Sequence, residues 1–174
     1  MPSFSILVFN TDRSTLKFEL FDKCETGELK SIMCGKIKNI GGSSTFEWCN
    51  DRAKGAVNIL VKDLKDATDW VLDWLEHLWP LGSLLEDLRV VAHHCVNCVS
   101  QNTSTFMRAG KYEPECPLIY QPDPLCMIGT SRNRLPEHVK VIVVFNMQPE
   151  NSSLSDANEE AQIADTALKA LKAA

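Results

Sequence analysis

Apolar and polar positions follow two different periods along this chain, and the switches between them outline a fold. Phe4 to Phe9 is a continuous apolar run, the pattern of a strand buried on both faces. A polar turn, Asn10-Thr11-Asp12-Arg13-Ser14, follows it. Leu16 to Phe21 then alternates apolar and polar, the mark of a half-buried strand. Residues 4–9 and 17–22 are therefore expected to be adjacent antiparallel strands joined by the turn at 11–15. Glu25 to Glu28 reads as another turn, and Leu29 to Ile40 as a third strand of the meander, which Gly41-Gly42-Ser43-Ser44 breaks.

The period then changes. Ala67, Trp70, Val71, Trp74, Leu75 and Leu78 recur at helical spacing on one face, with Asp66 as N-cap and Pro80 and Gly82 marking the end. Trp70, Trp74 and Trp79 read as a core stripe, with a ligand platform as the other reading. Leu88 to Ala92 is a short strand ending at His93-His94. Residues 100 to 138 carry five prolines and read as irregular. Val139 to Phe145 is a second continuous apolar strand, and Gln148 to Ser155 a linker. The last segment, from Ala157, is a helix with Ala161, Ala164, Leu168 and Leu171 on one face, opened by a capping-box-like Asp156 and Glu159. Strands first, then strands alternating with helices, predict a mixed-sheet α/β domain.

Composition narrows the function classes. The chain has 174 residues, 44% hydrophobic and 24% charged, enough for one domain with its own core. A net charge of -5 disfavours nucleic acid and anionic membrane surfaces as partners. No apolar stretch is long enough to span a bilayer, and the first residues already read as a strand, so a cytoplasmic location is expected. Seven cysteines, an odd count, then read as reduced thiols.

Several stretches resemble the acetate kinase family, within the sugar-kinase and actin superfamily. Asn10-Thr11-Asp12-Arg13-Ser14-Thr15-Leu16-Lys17-Phe18, within Ile6 to Asp22, keeps strand, turn and strand in register with the family's opening pattern of strand, Asn, a small residue, Gly, three Ser, an aliphatic, Lys-Phe and aliphatic-Phe-Asp. Val91-Ala92-His93-His94-Cys95-Val96-Asn97-Cys98-Val99 is similar to the family's Val-Gly-His-Arg-Val-Val-His-Gly-Gly. Pro124 to Gly129 is similar to Asn-Pro-x-x-Leu-aliphatic-Gly, and Val143-Val144-Phe145-Asn146 to a strand ending Val-Phe-Asp. Asn158 to Ala164 is similar to the opening of the family's last helix.

The resemblance implies a ribonuclease H-like mixed sheet flanked by helices. Residues 1–174 would form the first lobe alone, with the second lobe cut out and a helix at about 156–172 packing back. It also implies an ATP- and magnesium-dependent phosphotransferase with a carboxyl acceptor, making an acyl phosphate from acetate or another short carboxylate. By the same resemblance His94 and Asn146 occupy catalytic positions, Asn10, Ser14, Thr15 and Lys17 phosphate- or nucleotide-binding positions, and Asn10 and Glu159 metal positions. The departures are chemical. Asp12-Arg13 stands where the family has Gly-Ser, whose small size lets backbone N–H groups reach phosphate. Arg13 reads equally as a phosphate ligand or a solvated turn charge. His94 stands where the family has an arginine, and Asn146 where it has an aspartate. Glu159 reads equally as a first-turn carboxylate favoured by the helix dipole. Weak or no activity is therefore expected of the isolated lobe. The alternatives are a metabolite-binding pseudokinase, or half of a split kinase completed by a separate second-lobe chain. His93, His94, Cys95 and Cys98 hold enough donors for zinc, but adjacent strand residues face opposite ways, and small buried thiols are the competing reading.

Overall fold

The computed structural model describes residues 4–12, 14–78, 86–95, 105–106, 123–145 and 159–173. Its frame is one eight-stranded sheet in the order β5-β4-β3-β2-β1-β6-β8-β7. The strands are β1 (Phe4–Asp12), β2 (Thr15–Lys23), β3 (Leu29–Lys38), β4 (Ser44–Asn50), β5 (Lys54–Ile59), β6 (Leu88–Cys95), β7 (Thr105–Phe106) and β8 (Lys140–Phe145). Three helices lie against the sheet among the described residues: α1 (Leu64–Leu78), α2 (Asp123–Arg134) and α3 (Glu159–Ala173). β1 to β5 form an antiparallel meander, β1, β6 and β8 run parallel, and β7 is antiparallel to β8. This is the expected mixed α/β sheet, and β1 and β2 are the expected antiparallel pair.

The sheet separates two cores. On one face Leu7, Phe9, Leu16, Phe18, Ile37 and Phe46 pack with Ala67, Val71 and Leu75 of α1. Trp70 and Trp74 belong to this stripe, their rings within 4.5 and 4.8 Å of Phe46, so they are packing groups. Trp79 lies outside the described residues. Gly35 is required here, since a Cβ would sit 2.5 Å from a ring carbon of Phe18. On the other face Ile6, Val8, Val90, Ala92, Ile142 and Val144 meet Ile163, Ala164, Ala167 and Leu168 of α3. Ala161 and Leu171 pack at its margin, so the face expected of the last helix is the one it buries.

Several expectations are corrected. The meander does not break at Gly41-Gly42. There Asn39 (φ 57°) and Gly41 (φ 86°) turn the chain from β3 into β4, and Gly42 N–H and Ser44 Oγ–H both donate to Asn39 O at 3.0 Å. The N-cap of α1 is Asp63, whose Oδ1 accepts from Asp66 N–H at 2.8 Å, while Asp66 sits inside the first turn. β6 continues through both histidines rather than ending at them. Residues 123–134, read as irregular, form α2: Pro124 stands in its first turn, where a missing N–H costs nothing. Asp156, Pro80 and Gly82 lie outside the described residues.

Candidate functional site

Parallel strands end together at the C-terminal side of β1 and β6, the usual place for ligands in an open α/β sheet. Asn10 and His94 are register partners there. Asn10 is also the partner of Lys17 on β2, Lys17 of Lys36 on β3, and Lys36 of Glu47 on β4. Residues opposite one another across a sheet share a face, so His94, Asn10, Lys17, Lys36 and Glu47 form one transverse polar row. The row lies on the α3 side. α3 covers only its His94 end, and beyond the helix the face of β2 to β5 opens as a cleft of about 850 Å³. Lys17, Glu19, Lys36, Glu47, Lys54 and Glu160 are among its lining residues.

The first turn of α3 closes the covered end. Asn10 Nδ2–H donates to Glu160 Oε1 at 3.3 Å, and Asn10 Oδ1 accepts from His94 Nδ1–H at 3.0 Å. Glu159 Oε1 lies 3.8 Å from the same imidazole nitrogen. Burial pushes His94 below its usual pKa, although Glu159 and Glu160 pull it upward. His94 is therefore a neutral ring near neutral pH, and its contact with Glu159 is a dipolar one rather than an ion pair. Glu19, two residues along β2 from Lys17, has its carboxyl raised by burial and further by Glu160, against a hydrogen bond from Ser31.

The expected residues divide. Asn10, Lys17 and His94 come together on the row, and Glu159 joins them from α3. Ser14 is exposed at the hairpin turn, where its carbonyl accepts from Ile40 N–H at 3.0 Å, and Thr15 faces Asp12 across the strand pair. Neither meets His94. Asn146 and Arg13 lie outside the described residues, as do Asn97, Cys98 and Val99. His93 and His94 point to opposite faces: His93 stacks on Phe9 (centroids 5.2 Å apart) and hydrogen-bonds Ser131 Oγ at 2.9 Å beneath α2. Glu160, the carboxylate that touches Asn10, was not singled out by sequence, because only helical phase distinguishes it from Glu159.

Magnesium is the ion implied by the resemblance. It takes oxygen ligands and keeps several waters. Glu159, Glu160 and Asn10 offer oxygens of the right kind. However, Asn10 Oδ1 already accepts from His94, and Glu160 Oε1 from Asn10. Among the described residues no three His, Cys, Asp or Glu side chains form a group able to hold a metal. As arranged, the side chains satisfy one another and do not fit the ion.

No helix among the described residues is long and apolar enough to cross a membrane. No family model matches the chain. No curated protein matches it either. Solved structures do. Porphyromonas gingivalis acetate kinase superposes with a TM-score of 0.63 at 18% identity, over 91% of this chain and 43% of that one. Entamoeba histolytica acetate kinase superposes with a TM-score of 0.59 at 16% identity, over 91% of this chain and 40% of that one. The chain thus spans about two-fifths of the acetate kinases it matches, and at these identities the likeness is one of architecture. What the chain has is an acetate kinase-like fold, limited to the first domain.

Proposed function

We propose that this chain is an acetate kinase-like lobe with weak or no phosphotransfer of its own, retaining a cleft for a small carboxylate or acyl phosphate. The observation that carries the reading is the charge at the closed end of the polar row. Moving a phosphoryl group from ATP to a carboxylate brings anions together, and catalysis depends on positioned positive charge. The group at the sheet end is the neutral His94 ring, and its neighbours are Asn10, Glu159 and Glu160. Lys17 and Lys36 lie further along the row. Asp12 adds a carboxylate at the end of β1. Loss of one preorganised charge partner typically costs about 100- to 1,000-fold in rate. The arrangement at the closed end disfavours turnover.

The test is acetyl hydroxamate formation from ATP, magnesium and acetate by the chain alone. No product above background is expected. Turnover at about one per second, the lower end for ordinary enzymes, would overturn the impaired-lobe reading.

A further inference from the structure

The uncovered face of the meander carries a second transverse row, two residues along from the first. Its register partners are Glu19 on β2, Cys34 on β3, Cys49 on β4 and Lys54 on β5, and all four line the cleft. Cys34 is half-buried and Cys49 exposed, and both are free thiols, close enough that Cys49 acts on the Cys34 thiol. Opposed residues of an antiparallel pair have Cα atoms about 4.5–5.5 Å apart. A disulfide spans Cα separations of about 4.4–6.8 Å, a range that contains the separation of such opposed residues. Cysteines that merely fill space are among the most buried residues. Cys49 instead lies on solvent, on a part of the sheet that none of the described helices covers.

We propose that Cys34 and Cys49 are a reversible dithiol–disulfide couple, a redox modification site on the floor of the cleft that takes low-molecular-weight disulfides such as glutathione disulfide as oxidant. Cys49, the exposed thiol beside the Lys54 ammonium, gives up its proton and its sulfur attacks one sulfur of glutathione disulfide. That S–S bond breaks and one glutathione leaves as thiolate, taking up a proton. Cys34 then loses its proton and attacks Cys49 Sγ. The new S–S bond forms as the second glutathione leaves and is protonated in turn. Two protein thiols are oxidised to one disulfide, and one glutathione disulfide is reduced to two thiols. Burial, then Cys49 itself, then Glu19 and Glu160, push the Cys34 thiol up to about 12. That order of reactivity makes Cys49 the attacking thiol and Cys34 the resolving one. Glu19, opposite Cys34, is the carboxylate placed to receive its proton. Of the other free cysteines with described side chains, Cys24 follows β2 and Cys126 lies on α2, and neither stands opposite another cysteine in the strand register.

The test is peptide mapping of the folded chain after equilibration with glutathione disulfide and alkylation of the remaining thiols. The expected result is a Cys34–Cys49 linked peptide as the dominant disulfide, abolished by dithiothreitol. In Cys34→Ser, oxidation should instead stop with glutathione on Cys49. The chain oxidised in urea should lose the preference and scatter linkages among its seven cysteines. Recovery of Cys34 and Cys49 separately alkylated from the folded chain would overturn the proposal. So would their linkage to other cysteines as often as to each other. The assay does not depend on phosphotransfer, so its failure is distinct from failure of the kinase-like reading.

Discussion

Beneath α2, His93 is 2% exposed, stacked on Phe9 and hydrogen-bonded to Ser131, and its Nδ1 has no partner among the described residues. One residue on and through the sheet, His94 meets an amide and two carboxylates at the edge of an open cleft. Burial alone takes His93 down to about 3, whereas two carboxylates work against burial at His94. The same side chain is thus a fixed packing group on one face and a responsive polar group on the other. The difference comes from what the helices cover. α1 and α2 seal their face with apolar and aromatic groups, while α3 leaves the meander's other face to lysines, glutamates and thiols.

The sharpest way to break this contrast is to cut into each face at adjacent residues of β4. Phe46→Ala removes a fully buried ring from the sealed face and should cost about 3–5 kcal/mol. For a chain of this size that lowers Tm by roughly 6–20 °C. Thr45→Ala, on the open face, should stay within about 0.5 kcal/mol. Equal losses in thermal melts would mean that the second face is sealed as well.

Acid separates the histidines next. The folded pKa of His93 lies below its unfolded value of 6.5, so the unfolded chain binds a proton that the folded chain refuses. Its contribution is therefore constant above pH 6.5 and is lost as pH falls from 6.5 towards 3, at about 1 kcal/mol per pH unit. His94 acts in the same direction over a narrower window, and the raised carboxyl of Glu19 acts oppositely above pH 4.5. Denaturant melts across this range should show the slope flatten in His93→Gln. An unchanged slope would place the acid sensitivity elsewhere.

The smallest effect concerns how the sealed face is held shut. Arg134 at the end of α2 reaches Asp69, Asp73 and Glu76 on α1. These groups are partly solvent-exposed, so Arg134→Met should cost only about 1 kcal/mol, a difference that salt reduces. A loss that is insensitive to salt would indicate that the ion pairs of Arg134 are not what holds α2 against α1.

Much of the frame was legible because period and length agreed: the β1 run, the alternating β2 and the α3 stripe each fit one element. β4 and β5 were not, because Ser44–Asn50 and Lys54–Ile59 mix polar residues on one face with aromatic or small ones on the other, and the glycines before them read as a stop. α2 was hidden by Pro124 and Gly129, which argue for a loop unless the proline is known to sit in a first turn. At the site, Asn10, Lys17 and His94 were named from the resemblance. Their alignment on one row needed the strand register. Cys34 and Cys49 are fifteen positions apart and carry no spacing signal, so only β3–β4 pairing brings them together.

The two-ended contact of Asn10 has one more effect. A carboxylate oxygen accepts, so Glu160 requires the NH2 end of the amide, which turns its carbonyl end to His94. The carbonyl in turn requires the imidazole proton on Nδ1. The opposite nitrogen, Nε2, is thereby left with its lone pair. His94 thus offers an acceptor at the end of the polar row. It suits the proton-bearing end of a molecule, a hydroxyl, ammonium or protonated carboxyl, better than the bare oxygens of a phosphate.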